Sequence, residues 1–365
     1  MKRPGLTLID LYIIKKFLGT FVFATGLILV IATVFDLSEH IDDFLEHDVS
    51  LKEAMIGYYA NFIPYFAILF SSLINFIAVI FFTSKMAYNT EIIAILSSGV
   101  SFARLMRPYF ISATIIALFS FYMNNYLLPP ANKKRLDFSD RYFRSGPRYF
   151  SERNIHKQIR PNVYIYMESY SNNSNIGYKF SMERFDRNKL VSKMMADYIR
   201  WDSVKGKWEV RNYYIRNIYD GKEEILTGTS LDTTLNLSPN DFTAQDNFIF
   251  ETMTLPYLNR YIDQLRLQGA DNINVFLVER GRRTAVPFST YILTFIAVAL
   301  SSRKVRGGIG MHIGAGLGLA FSYIFFMQFS SQFAISGSIP PMVAAWIPNM
   351  IYLAICVFLY RLAPK

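Results

Sequence analysis

The chain of 365 residues has one cysteine, Cys356, and it lies in an apolar run near the end. That excludes a disulfide framework and a cysteine metal site. Its four histidines, His40, His47, His156 and His312, are scattered, and no set has the spacing of metal ligands. There is no Gly-x-x-x-x-Gly-Lys-Ser/Thr loop, no His-Glu-x-x-His and no Gly-x-Ser-x-Gly, so the sequence carries no signature of nucleotide hydrolysis, zinc proteolysis or serine catalysis. Catalytic residues, metal ligands and a bound cofactor are therefore not expected. The long apolar runs hold almost no charge, which argues against an ion or proton path, because such paths need ionisable relays inside the membrane.

What is present is apolar: 52% hydrophobic and 16% aromatic residues do not fit a soluble profile. A formal charge of +10 could suggest nucleic acid, but the basic residues sit beside hydrophobic runs, so anionic lipid is the expected counter-charge and no nucleic acid is expected. Six segments reach the roughly 20 residues that cross a bilayer: about 14–36, 54–83, 108–129, 285–302, 308–333 and 341–361. Phe17–Phe35 is uncharged throughout and has no small-residue cleavage site, so the first reads as a span and not a signal peptide. The spacing predicts three spans, a polar insert and three more spans. Lys15, Lys16, Lys85, Arg104, Arg107, Arg303 and Arg361 flank one face. The loop 36–53 on the other is acidic, with Glu39, Asp42, Asp43, Glu46 and Asp48. By the positive-inside rule both termini face the cytoplasm and the insert faces outward.

The insert, about 130–283, changes period. GYKFSMERF, LVSKMMADYIRW, WEVRNYYIRNIY and EEILTGTSL read as strands joined by tight turns at Asp186–Lys189, Val204–Lys207 and Asp220–Lys222. An antiparallel β-sandwich or jelly roll is expected, with its aromatic residues either filling an ordinary interior or lining one open to acyl chains. Residues 256–268 start with Pro and end before Gly269, which suits a linking helix. The domains expected are thus 1–129, 130–283 and 284–365.

Between the second and third spans, about 87–99 reads as a short helix outside the membrane. Asn89 or Thr90 can cap its start, Glu91 suits its first turn, and Gly99 suits a left-handed terminator. Ile92, Ile93, Leu96 and Val100 give one apolar side, which covers either the bundle or a partner. Gly310, Gly314 and Gly318 recur every fourth residue, a spacing that lets helices approach closely. After the third span come Lys133, Lys134, Arg135, Arg141, Arg144 and Arg148, and before the fourth come Arg280, Arg282 and Arg283. Such density at an outer mouth suits a phosphate-bearing ligand, since guanidinium forks grip phosphate; a solvated charged stem is the alternative.

Three stretches, NTEIIAILSSG in the inner loop, LPYLNRYIDQLR before the fourth span and GSIPPMVAAWIPN before the sixth, in this order around a β insert, resemble the LptF/LptG (YjgP/YjgQ) permease family. The Ile-Pro-Pro stretch resembles the LptG branch more closely. The resemblance covers nearly the whole chain and implies an inner-membrane permease subunit of an ATP-driven lipopolysaccharide exporter. It would pair with an LptF- or LptG-type permease, an LptB-type ATPase dimer holding the ATP and Mg, and a single-span LptC-type protein. It implies coupling to the ATPase through Glu91, Ile92, Ile95, Leu96 and Gly99. The first span, with Phe21, Leu27 and Val34, and the fifth, with Gly310, Gly314 and Gly318, would form a lateral gate. It implies phosphate contacts at Lys133, Lys134, Arg135, Arg141, Arg144 and Arg283. A membrane receptor or scaffold with a ligand-binding outer domain is the competing class.

Overall fold

The computed structural model describes residues 6–143, 151–171, 174–187, 189–219, 222–237, 239, 242, 249–270, 272–303 and 308–363. They divide into two units: the helices on either side of the insert together with 251–255, and the strands together with 256–273.

In the helical unit, α1 is Leu8–Glu46, α2 Leu51–Glu53, α3 Ala60–Leu69, α4 Ser71–Tyr88, α5 Glu91–Ser97, α6 Phe102–Tyr122 and α7 Leu128–Tyr142. After the strands and α8 (Leu255–Gln268) come α9 (Ile273–Ser301), α10 (Gly308–Ile335) and α11 (Pro341–Leu362). Among the described residues, six helical stretches are long and apolar enough to cross a membrane, as expected. Two π-helical segments, Ala54–Tyr59 and Met123–Leu127, join α2 to α3 and α6 to α7, so the second and third spans each carry a widened turn. The helix before the insert runs on to Tyr142, past the end of the apolar run.

The shared core is aromatic and aliphatic. Ile13 and Phe17 of α1, Phe76 and Phe82 of α4, Tyr109 of α6, Ile296 of α9 and Tyr352 of α11 are all buried in one cluster. Phe82 stacks on Tyr109 with ring centroids 5.5 Å apart. Polar side chains tie the helices where lipid offers no alternative partner. Asn75 donates to Thr294 Oγ1 (3.0 Å), Asn349 donates to the Ala285 carbonyl (2.8 Å), and the Tyr323 hydroxyl donates to Asn349 Oδ1 (2.9 Å).

The expected glycine row makes no close contact with a neighbouring helix. A Cβ at Gly310, Gly314 or Gly318 would meet nothing within 4 Å, whereas at Gly316 it would collide with Ile80 and touch Phe76. The turn of α10 presents the intervening glycine to α4 and leaves the row exposed. Gly316→Leu is accordingly expected to destabilise the chain by about 1–3 kcal/mol, the usual cost of overpacking. Gly314→Leu should leave its thermal unfolding unchanged, and equal melting of the two variants would contradict this packing.

The insert contains the expected antiparallel strands: β1 Ser151–Arg160, β2 Val163–Ser171, β3 Ile176–Asp186, β4 Lys189–Asp202, β5 Lys207–Tyr219 and β6 Lys222–Thr233. They pair in chain order as one six-stranded antiparallel sheet, the inserted β domain expected, and the sheet does not close on itself. Its core face carries Ile165, Met167, Phe180, Met194, Ile199, Trp208 and Val210. The chain after β6 folds back over this face. Trp208 Nε1 donates to the Leu237 carbonyl (2.9 Å), and Phe242 stacks on Tyr170 at 4.3 Å.

One line across the sheet is irregular. The ladders skip Asn154, Glu168, Lys179, Asp197 and Asn212, which lie side by side on β1 to β5. In every second strand the skipped residue is left-handed: Asn154 at φ 55°, Lys179 at 50° and Asn212 at 51°. A left-handed residue turns a strand as a bulge does, so these aligned positions crease the sheet. Lys179 pairs with Glu168 at 2.6 Å, and Asn212 donates to Asp197 at 2.8 Å, along the crease. Because a β-branched residue resists positive φ, Asn212→Val is expected to cost about 1–2 kcal/mol, seen as earlier thermal unfolding by tryptophan fluorescence; an unchanged midpoint would contradict the crease.

Candidate functional site

The loop between α4 and α6 is built from both ends. Thr90 leaves α4 in a left-handed turn at φ 63°, without a side-chain cap on α5, in place of the expected capping by Asn89 or Thr90. Gly99 ends the segment at φ 87°, where only glycine is unstrained. The Ser101 side chain then caps α6.

Of the expected coupling residues, Ile92 is fully buried in the chain's own core, and Ile95 and Leu96 pack against that core. The free side of α5 is instead Ile93, 48% exposed, with Ala94 and Ser97 beside it and Gly99 beyond. Ile92 is thus an anchor that fixes which side of α5 points away.

Two ion pairs hold this loop to the first turns of α1. Lys16 Nζ lies 3.3 Å from Glu91 Oε2, and the Tyr12 hydroxyl donates to the same oxygen at 2.9 Å. Burial opposes ionisation of Glu91, but Tyr12 and Lys16 outweigh it and hold the carboxyl below its ordinary range. From the start of α6, Arg104 forks onto Asp10, with Nη1 to Oδ1 at 2.6 Å and Nη2 to Oδ2 at 2.5 Å. Asp10 is 3% exposed and also closes a capping box with Thr7 at the start of α1. Asp10, Tyr12, Lys16 and Arg104 were not among the expected site residues. The pattern Thr7-x-x-Asp10 was the one signal that marked this acid, since it is a helix-start box.

The expected phosphate contacts separate. Lys133, Lys134 and Arg141 are exposed on α7. Arg135 is folded inward: its Nε donates to Asn132 at 2.8 Å and its guanidinium lies 4.4 Å from the Tyr65 ring centre. Arg283 is 2% exposed, bound to Glu279 at 2.9 Å and to the Met253 carbonyl at 2.7 Å, so it pins residues 251–255 to α9 and is not turned to an open mouth. Arg144 and Arg148 lie outside the described residues.

Of the expected gate positions, Phe21 packs against the core, whereas Leu27 and Val34 are 48% and 60% exposed. Gly310, Gly314 and Gly318 are also exposed. Further along α1, Asp36 accepts from the Tyr58 hydroxyl at 3.0 Å, so the first span is fastened near both ends. No group of three or more His, Cys, Asp or Glu that could hold a metal occurs among the described residues.

Six membrane-length helices in two sets of three, an inserted β domain and a helical loop clasped to the first span define a polytopic membrane protein of the permease type. The chain belongs to the lipopolysaccharide export system permease LptF/LptG family, whose family model matches residues 11–362. That description covers both branches, and no curated protein matches the chain. Membership makes it a multi-pass inner-membrane permease of lipopolysaccharide export, in a family of transporters.

Proposed function

We propose that this chain is the half of an ATP-driven exporter that takes lipopolysaccharide from the outer leaflet of the inner membrane and hands it to a periplasmic bridge. In this reading both termini and α5 are cytoplasmic and the β domain is periplasmic. The LptB-type ATPase dimer, carrying ATP and Mg, grips the free side of α5. A second LptF- or LptG-type permease faces the exposed sides of α1 and α10, and an LptC-type protein receives lipid from the β domain. The observation that carries the reading, beside family membership, is the short inner helix whose buried side fixes it to the bundle and whose other side is bare. Purification of the chain in mild detergent tests it: stoichiometric recovery of an ATPase with stimulated hydrolysis is expected. Recovery of a kinase-like partner instead would favour a receptor.

The exposed cations of α7 supply the lipid phosphate contacts in this scheme, with Arg283 in a supporting place. Reversing Lys133, Lys134 and Arg141 together to Glu is expected to reduce lipopolysaccharide release from proteoliposomes at least tenfold, with the melting midpoint held, because the three side chains are solvated. Unchanged release would discard α7 as the contact.

A further inference from the structure

The helical unit holds a partly open cavity of about 290 Å³, lined largely by apolar side chains from four of the spans, among them Leu69, Leu73, Val286, Leu293, Ile324 and Met327. One cation in its wall is unspent. Arg282 is half-buried, and among the described residues its Nε is buried without a hydrogen-bond partner. The other charged groups there are engaged: Glu279 holds Arg283, and Glu251 accepts from Asn132 at 2.9 Å. Burial pushes the Glu251 carboxyl above its ordinary range.

A guanidinium withdrawn from water beside hydrocarbon is costly unless an anion meets it. The cavity is about twice the 150 Å³ that accommodates benzene, so there is room for part of one alkyl chain and not for the several chains of a lipopolysaccharide. We infer that this cavity binds one alkyl chain of an anionic bilayer lipid, phospholipid or fatty acid, with the anionic head on Arg282. The inference stands apart from the coupling scheme above, because it needs neither the ATPase nor the cargo.

Thermal unfolding of the full chain in neutral maltoside micelles tests it, with dodecyl phosphate, laurate and dodecyltrimethylammonium as probes. Dodecyl phosphate or laurate is expected to raise the midpoint by about 3–8 °C at 100-fold over the dissociation constant, and the cationic probe to leave it unmoved. A response to phosphate alone assigns a phospholipid head, and an equal response to laurate assigns a fatty acid. Arg282→Met should melt above the wild type without probe, since an unpaired charge is gone, and should ignore both anions. Val286→Phe, which fills the cavity and leaves the charge, should also lose the response. Retention of the anion response by either variant, or an equal response to the cationic probe, would overturn the proposal.

Discussion

Glu91→Lys is expected to abolish recovery of the ATPase with the purified chain while the bundle stays folded. Two effects must be separated, because Glu91 already binds Lys16 and Tyr12 in its own chain. The Lys16 and Glu91 side chains are 34% and 29% exposed. A pair this open contributes at most about 1 kcal/mol, so its loss lowers the melting midpoint by a few degrees. A charged contact at the centre of a protein interface is worth about 2 kcal/mol or more, which is roughly thirtyfold in affinity. The double variant Lys16→Glu, Glu91→Lys restores the internal pair in reverse. It should recover stability but not the ATPase. If the swap regains the partner as well, Glu91 acts only by holding α5 in place and does not touch the ATPase. Because the Glu91 carboxyl is held below its ordinary range, its stabilising contribution is complete above that range and is lost only as pH falls through the lowered value.

Arg104→Ala is expected to separate ATP hydrolysis from lipid release. The fork from Arg104 is the only hydrogen-bonded ion pair of Asp10 among the described residues, and Asp10 is 3% exposed. Stranding one partner of a buried pair costs about 3–5 kcal/mol. Arg104 is itself 28% exposed on its side chain, so the cost here falls nearer about 2 kcal/mol. The pair joins the start of α6 to the start of α1. With it broken, α5 stays tied to α1 through Glu91 and to the core through Ile92, but α6 loses its charged link to α1. Hydrolysis in proteoliposomes should stay within about twofold, and lipopolysaccharide release should fall at least tenfold, the loss that about 1.4 kcal/mol of coupling supplies. Parallel loss of both activities would mean that the fork merely supports the fold.

The spans and strands were readable because their signals are local. An uncharged run such as Phe17–Phe35 states its own length, and a turn such as Val204–Lys207 separates a strand that ends at Asp202 from one that begins at Lys207. What was not readable depends on rotation and on distant partners. Which glycine of α10 meets α4 is set by how the helix is turned, and spacing cannot distinguish Gly316 from its neighbours. Lys16 and Arg104 entered the reading as markers of membrane sidedness, since nothing local pairs residue 16 with 91 or 10 with 104. The crease eluded it because Lys179 and Asn212 sit in the middle of runs with good strand composition, where left-handed backbone leaves no compositional trace. Alternation along the strands likewise reports that one face is covered, not what covers it.

The manner in which α1 is held has a mechanical consequence. Its apolar stretch is barely covered by the rest of the chain, yet Asp10 and Lys16 secure one end and Asp36 the other. A rod pinned at its tips and bare along its shaft pivots more readily than it slides. A small sideways pull at the Asp10 end is therefore delivered as a change of tilt along the 39-residue helix, with few side-chain contacts to break in its apolar middle.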